Sequence, residues 1–320
     1  MPIDRRTLLA SAAALAVAAP ARAAWPERPI TLVVPFAAGS GTDTVARIVA
    51  QQLAAKLGQG VVVENRAGAN GSVAATFVAR APADGYTLFM TTNTSHSANP
   101  SLLKTLTYDP VNDFSPVARM GNLPFLLVVD PKLPVTSVKE LVAHAKANPG
   151  KLTYASGNST GIVAGATFAK RAGIDILHVP YRSTPPAITD IIGGRISMMF
   201  VDITASLTQV NAGSLRALAV TTAERSKLLP NLPSMQEAGV PEFDITSWNG
   251  VFGPANMPAD VIQRLNRELA AIATDPEIAK KLAEIGFDAF TQTPDELGAF
   301  VKAQLANWAR MIKEAGIEPQ

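Results

Sequence analysis

Ile30-Thr31-Leu32-Val33-Val34-Pro35-Phe36-Ala37-Ala38-Gly39-Ser40-Gly41-Thr42-Asp43 is an apolar, β-branched run that passes through a turn of small residues and opens a helix. Val45, Ile48, Val49, Gln52 and Leu53 then recur at helical spacing, which predicts a strand over Ile30 to Phe36 and a helix over Thr42 to Leu57. A strand, a glycine turn and a helix start gather backbone N–H groups and the positive end of a helix dipole around one point. A carboxylate or a phosphate fits such a point.

Upstream of this unit, Arg5 and Arg6 precede an Ala/Leu-rich run from Leu8 to Ala19, then Pro20 and Ala21-Arg22-Ala23. A charged start, a short apolar core and an A-x-A end describe a cleaved export signal over residues 1–23, and the mature chain is expected to begin near Ala24. The paired arginines, the Ala-rich core and Arg22 suit twin-arginine export, and the general secretory route is equally open. The expected location is the periplasm. Of the 28 Lys+Arg and 26 Asp+Glu, the leader holds three arginines and one aspartate, so the mature chain carries 25 of each sign. A neutral surface without basic clusters has neither the footprint of nucleic-acid binding nor a polybasic membrane anchor. With no cysteine, disulfides, thiolate metal sites and cysteine nucleophiles are excluded.

Downstream, apolar strands alternate with amphipathic helices, which predicts an α/β architecture with mostly parallel sheets. Strands are expected at Val61 to Glu64, Thr87 to Thr91, Leu123 to Val129, Leu152 to Ala155, Ile176 to Val179, Ile196 to Val201, Leu215 to Val220 and Ile245 to Gly253. The pattern divides into two α/β lobes, 24–123 plus 248–320 and 124–247, with the chain crossing near Leu123 to Phe125 and returning near Thr246 to Gly250. Two crossings make a hinge, and the cleft between the lobes is the natural ligand site. One large doubly wound domain is the competing arrangement.

Ligands of open α/β sheets sit beyond the carboxyl ends of the strands, so the residues that follow each strand are the candidates. These are Phe36, Gly39, Ser40, Thr42 and Asp43 after the first strand, and Asn93 and Ser95 after the third. In the second lobe they are Ser156, Gly157, Asn158, Ser159 and Thr160, then Tyr181, then Asp202. Two hydroxyl-rich loops at helix starts, one per lobe, could clamp a short anion, although Ser and Thr there are also ordinary N-caps. Asp43 sits where an acid complements a helix dipole, and Asp202 either holds a chain turn or faces the ligand. Phe36 and Tyr181 are pocket walls or core, and Arg182 is a carboxylate partner or a solvated rim residue.

Enzymatic alternatives find little in the sequence. A Ser-His-Asp set could be drawn from Ser156, His96 or His178 and Asp202, but no G-x-S-x-G elbow is present. Neither a metal-ligand spacing, nor G-x-G-x-x-G, nor G-x-x-x-x-G-K-[ST] occurs, so no cofactor is expected.

Trp25-Pro26 with Pro29-Ile30, Val34 to Asp43 with Ala46-Arg47, and Val62-Val63-Glu64-Asn65-Arg66-Ala67-Gly68-Ala69-Asn70-Gly71 together resemble the tripartite tricarboxylate transporter substrate-receptor family, the Bug proteins. Ala83 to Leu88, Ser156 to Ser159, Val179 to Arg182 with Pro186-Ala187, and Trp248-Asn249-Gly250 with Pro254-Ala255 extend the resemblance over nearly the whole mature chain. It implies a two-lobed periplasmic binding protein of the type II-like kind, with two crossing strands, that performs no chemistry. Such a receptor closes over a small carboxylate and delivers it to membrane permease subunits, and it is expected to be a monomer. The resemblance also implies that loop amides, hydroxyls and ordered water hold the carboxylate, at Phe36, Gly39, Ser40, Thr42 and Asp43 and at Ser156 to Thr160. Ser183-Thr184 departs from the glycine usual there, which bears on the solute selected. Two other functions stay open: an orphan receptor that signals to a sensor protein, and a periplasmic serine hydrolase using Ser156 or Ser159.

Overall fold

The computed structural model describes residues 25–320, so the export signal expected over residues 1–23 lies outside the described residues. Strands β1 (Ile30–Val34), β2 (Val61–Asn65), β3 (Thr87–Thr92), β4 (Phe114–Leu123), β10 (Ser247–Pro254) and β11 (Asp288–Gln292) form one sheet in the order β11-β4-β10-β3-β1-β2. Strands β5 (Phe125–Val129), β6 (Thr153–Ser156), β7 (Leu177–Pro180), β8 (Met198–Asp202) and β9 (Arg216–Val220) form a second, ordered β7-β6-β8-β5-β9. The helices are α1 (Gly41–Leu57), α2 (Ser72–Ala79), α3 (Asn99–Leu102), α4 (Val138–Ala147), α5 (Ser159–Ala172), α6 (Thr184–Ile192), α7 (Ile203–Asn211), α8 (Ala259–Ala273), α9 (Pro276–Glu284) and α10 (Pro294–Ala315).

Both sheets are mixed, which corrects the expectation of mostly parallel ones. β2-β1-β3 and β7-β6-β8 run parallel because helices connect them. The strands next to each crossing run antiparallel, β10 against β3 and β4, and β5 against β8 and β9. The outward crossing is the single residue Pro124 between β4 and β5, and the return enters β10, where Ser247 pairs with Leu123. Thr221 ties the two together, its amide donating to Phe125 O at 3.0 Å and its hydroxyl to Ile245 O at 2.6 Å. Both crossings therefore lie side by side, the geometry of a hinge.

Two strands escape the sequence pattern. β4 carries Pro116, Arg119 and Gly121 and has little β-propensity, yet β10 and β11 hydrogen-bond it on both edges. Arg119 is accommodated because its guanidinium lies 3.6 Å from the Phe300 ring centroid and 4.8 Å from that of Phe290. β11, over Asp288–Gln292, pairs only with β4 and is a short edge strand.

α1 shows why the opening stretch folds as it does. Pro35 follows the last residue of β1, Ser40 caps the helix, and Gly58 ends it in the left-handed region at φ 69°. Val45, Val49 and Leu53 are buried at i, i+4 and i+8, and an apolar cluster continues from them to Phe168 and Phe200 of the second lobe. Each such side chain contributes about 1.5–3 kcal/mol by leaving water.

Candidate functional site

Four helices begin at the same place. Ser40 caps α1, its Oγ accepting from the Asp43 amide at 3.3 Å and its carbonyl from Thr44 at 3.0 Å. The amides of Gly41 and Thr42, the first of the helix, are left for a ligand. Asn158 caps α5, with Oδ1 accepting from the Gly161 amide at 2.9 Å, and Asp202 caps α7 through the Ala205 amide at 2.8 Å. Ser183 precedes α6 but makes no cap bond; its Oγ accepts instead from the Ala37 amide of the other lobe at 3.1 Å.

A small void of ≈ 10 Å³, about the room one water needs, lies where these starts converge. Ser40, Gly41 and Thr42 line it from the first lobe, and Asn158, Thr184 and Asp202 from the second. Phe36, Thr92, Leu123, Phe125 and Ser247 complete the wall, and among the described residues no Lys, Arg or His side chain lines it. Each helix start presents roughly half a positive charge, so four together give the void a polarity that suits an anion, with Asp202 opposing it. A larger crevice of ≈ 280 Å³ elsewhere between the lobes mixes Lys170, Arg171 and Arg310 with Glu242, Asp244 and Glu314. α5 and α10 reach that crevice with their C-terminal turns, whose dipole ends repel anions.

Close packing at the void requires glycine twice. A Cβ on Gly41 would stand 2.0 Å from Asp202 Oδ1, and one on Gly157 would stand 2.4 Å from the Thr184 amide nitrogen. The lobes are clasped beside it. Asn93 Nδ2 donates to Thr160 Oγ1 at 3.0 Å and to Ser159 Oγ at 3.2 Å, while Ser159 Oγ donates to Thr94 Oγ1 at 2.9 Å.

The two acids behave differently. Asp202 is buried without a cationic partner, and burial raises its pKa to about 6, with the Ala205 amide pulling the other way. Asp43 is also buried, which by itself raises its pKa, but Arg47, Asn65 and the Gly39 amide more than offset this and hold it below the usual value. Its oxygens accept from Arg47 Nη2 at 2.9 Å, Arg47 Nε at 3.0 Å, Asn65 Nδ2 at 2.8 Å and the Gly39 amide at 2.9 Å. Asp43 therefore fixes the turn that builds the void and does not line it. Asp43→Ala is expected to cost about 2–3 kcal/mol in urea unfolding at pH 7, the worth of a set of charge-assisted bonds. The folded pKa is depressed, so this stabilisation is complete above the unfolded value and is lost as pH falls through the folded one.

Of the residues expected at the site, Phe36, Ser40, Thr42, Asn158 and Asp202 line the void. Asn93, Ser159 and Thr160 form the clasp, and Gly39 and Gly157 shape the loops. Ser95 lies inside the first lobe, its carbonyl accepting from Tyr108 Oη at 2.9 Å and its Oγ 3.1 Å from His96 Nδ1. Tyr181 Oη donates to Asp190 at 2.6 Å, and Arg182 is exposed. Thr184 was noted only through the Ser183-Thr184 departure, and Thr92, Leu123, Phe125 and Ser247 were not named as site residues; the signal for Ser247 is a hydroxyl at the mouth of a crossing strand.

The Ser-His-Asp set is not assembled. Ser156 Oγ is 2.7 Å from His178 Nε2, but among the described residues no carboxylate is bonded to His178, whose ring stacks on Tyr154 at 4.7 Å. His96 is enclosed by Phe89, Phe114 and Phe252, and burial depresses its pKa to about 3. Asp202 is engaged with α7.

Residues 45–317 match the family model described as the tripartite tricarboxylate transporter family receptor. The chain is 35% identical to the protein BugT of Bordetella pertussis over 94% of its own length and 93% of that relative. R. palustris Rpa4515, solved with adipate, superimposes with a TM-score of 0.91 at 38% identity, covering 93% of this chain and all of that one. MatC (Rpa3494) from Rhodopseudomonas palustris, solved with bound malate, gives a TM-score of 0.84 at 29% identity, covering 90% of this chain and all of that one. A chain matched over this span, with two lobes, belongs to the tripartite tricarboxylate transporter receptor family, together with the Bug proteins.

Proposed function

We propose that this chain is an exported receptor that captures a small carboxylate between its lobes and presents it to the membrane permease subunits of a tripartite transporter. The observation that carries this is the convergence of the α1, α5, α6 and α7 starts on one void without a basic side chain. Amides of Gly41 and Thr42 and the hydroxyls of Ser40, Thr42, Thr184 and Ser247 would hold the carboxylate, and contacts to both lobes would favour the closed state. The adipate and malate bound by the relatives are both carboxylates, as this chemistry requires. Residues 1–23 would direct export and be removed, leaving a monomer in the periplasm. Calorimetric titration of the mature chain with aliphatic and aromatic mono- and dicarboxylates is expected to give saturable 1:1 binding for at least one. If every carboxylate fails while a sugar or an inorganic cation binds, the proposal falls.

A further inference from the structure

Ser183 stands where a helix cap belongs and does not cap. At the other three starts around the void the cap serves the amide of the third helical residue: Ser40 that of Asp43, Asn158 that of Gly161 and Asp202 that of Ala205. α6 opens Thr184-Pro185-Pro186, so its second and third residues have no N–H, and a side chain at Ser183 finds nothing there to cap. Proline suits a first turn, where the missing amides cost the helix no bond, and here it leaves a hydroxyl free. That hydroxyl belongs to a buried residue and accepts from the Ala37 amide of the first lobe at 3.1 Å. Ala37 lies in the turn that carries the void wall. In that turn Phe36 O accepts from Asn65 Nδ2 at 2.9 Å, Ala37 O from the Ser40 amide at 3.1 Å, and the Gly39 amide donates to Asp43. Those partners all come from the first lobe, whereas the Ala37 amide is served by the second. The bond thus joins neighbours of two residues that line the void, Phe36 and Thr184.

Resting on the carboxylate reading above, we infer that Ser183 is a latch between the lobes, a positioning residue that Pro185 and Pro186 release from helix capping and that retains a bound carboxylate by holding the closed state. The bond exists only while the lobes meet. When they part, water serves both the Ala37 amide and the hydroxyl, so the latch favours the closed state over the open one. A ligand enters before the latch forms and leaves after it breaks, which places its effect on the dissociation rate and not on the association rate. The prolines are part of the device. An amide at position 186 would draw the hydroxyl back to its own helix, as Ser40 is drawn to the Asp43 amide.

Stopped-flow kinetics on the mature full-length chain test this, with malate, adipate and acetate as probes. For each acid that binds the native chain, Ser183→Ala is expected to raise the dissociation rate roughly two- to tenfold, the worth of one net hydrogen bond. The association rate and the melting temperature of the ligand-free chain are expected to stay nearly unchanged. Pro186→Ala, at an exposed position, restores an amide to the first turn and is expected to speed dissociation in the same direction. In the Ser183→Ala background the same change is expected to do nothing, because no hydroxyl is left to recapture. Pro186→Ala also carries the test should Ser183→Ala fail to fold. Unchanged dissociation in both variants, or an equal effect of Pro186→Ala in the two backgrounds, overturns the latch while the carboxylate reading stands. Hydrogen exchange of the Ala37 amide in the ligand-free chain, followed by NMR, reads the same bond without any ligand. It is expected to be faster in Ser183→Ala than in the native chain, and equal exchange overturns the latch. Failure of all three acids alongside binding of a non-carboxylate overturns the carboxylate reading, and the exchange at Ala37 then decides the latch.

Discussion

Gly41→Ala is expected to weaken carboxylate binding roughly 5- to 150-fold while leaving the melting temperature of the ligand-free chain nearly unchanged. The added Cβ would stand 2.0 Å from Asp202 Oδ1 and 2.7 Å from its Cγ. Asp202 cannot easily retreat, because it is buried and the same Oδ1 holds the Ala205 amide at 2.8 Å as the cap of α7. Overpacking of this kind costs about 1–3 kcal/mol, and about 1.4 kcal/mol is a factor of ten in affinity. The cost arises only when the lobes meet, since Gly41 belongs to the first and Asp202 to the second, so the open state escapes it. Ligand is therefore expected to reduce the radius of gyration of the native chain in solution scattering and to have a much smaller effect on the variant. Native affinity in Gly41→Ala would show that the Gly41–Asp202 contact is no part of the bound state.

The parts of this molecule that were legible in its sequence are those governed by local rules. β1, the glycine turn and α1 follow from a β-branched run, a capping serine and a 3.6-residue period, and the structure places them as Ile30–Val34 and Gly41–Leu57. The parallel units of the second lobe were legible for the same reason, although the cap of α5 is Asn158 and not one of the hydroxyls expected to serve there. β4 was not, because Phe114–Leu123 is extended only by virtue of its neighbours β10 and β11, and the cation–π cradle that houses Arg119 comes from residues about 170–180 positions away. Asp43 and Asp202 show the same limit at the site. Asp43 follows a turn and Asp202 ends an apolar strand, but the side chain that answers Asp43 is one helical turn away in Arg47, whereas Asp202 stands against Gly41 across the cleft. Which acid lines the void was therefore decided by the meeting of two lobes, a contact that no local pattern encodes. Ser183 makes the point for specificity: it stands at a helix start, yet its hydroxyl serves the Ala37 amide in the opposite lobe.

Asp202→Asn is expected to raise stability at pH 7–8 by about 3 kcal/mol and to remove the pH dependence of carboxylate binding. In the folded chain the Asp202 pKa is about 6 against 3.8 for the exposed group, a gap of roughly two units at about 1.4 kcal/mol each. The folded form holds the proton more tightly, so stability is greatest below the unfolded pKa and falls as pH rises through the folded one. Asn keeps the cap to the Ala205 amide, because its carbonyl oxygen also accepts, and it has no proton to lose. The groups that meet around the void are Gly41 and Thr42 from α1, Phe125 from β5, Asn158 before α5, Thr184 from α6 and Ser247 from β10, none of them titratable. Asp43, the acid nearest in sequence to that wall, is held ionised by Arg47 and Asn65. Among the described residues that line the void, Asp202 is the one ionisable group a ligand carboxylate would meet. Two like charges in one dry site raise each other's pKa, so the complex takes up a proton and Asp202 becomes a donor toward the ligand. Native affinity is expected to fall up to tenfold per pH unit above about 6, and titrations in two buffers of different ionisation enthalpy should count close to one proton bound per ligand. The Asn variant should bind with no proton uptake and a flat profile. If it loses binding instead, the ionised carboxylate of Asp202 is itself the recognition element, and the cargo must carry a cationic group beside its carboxylate.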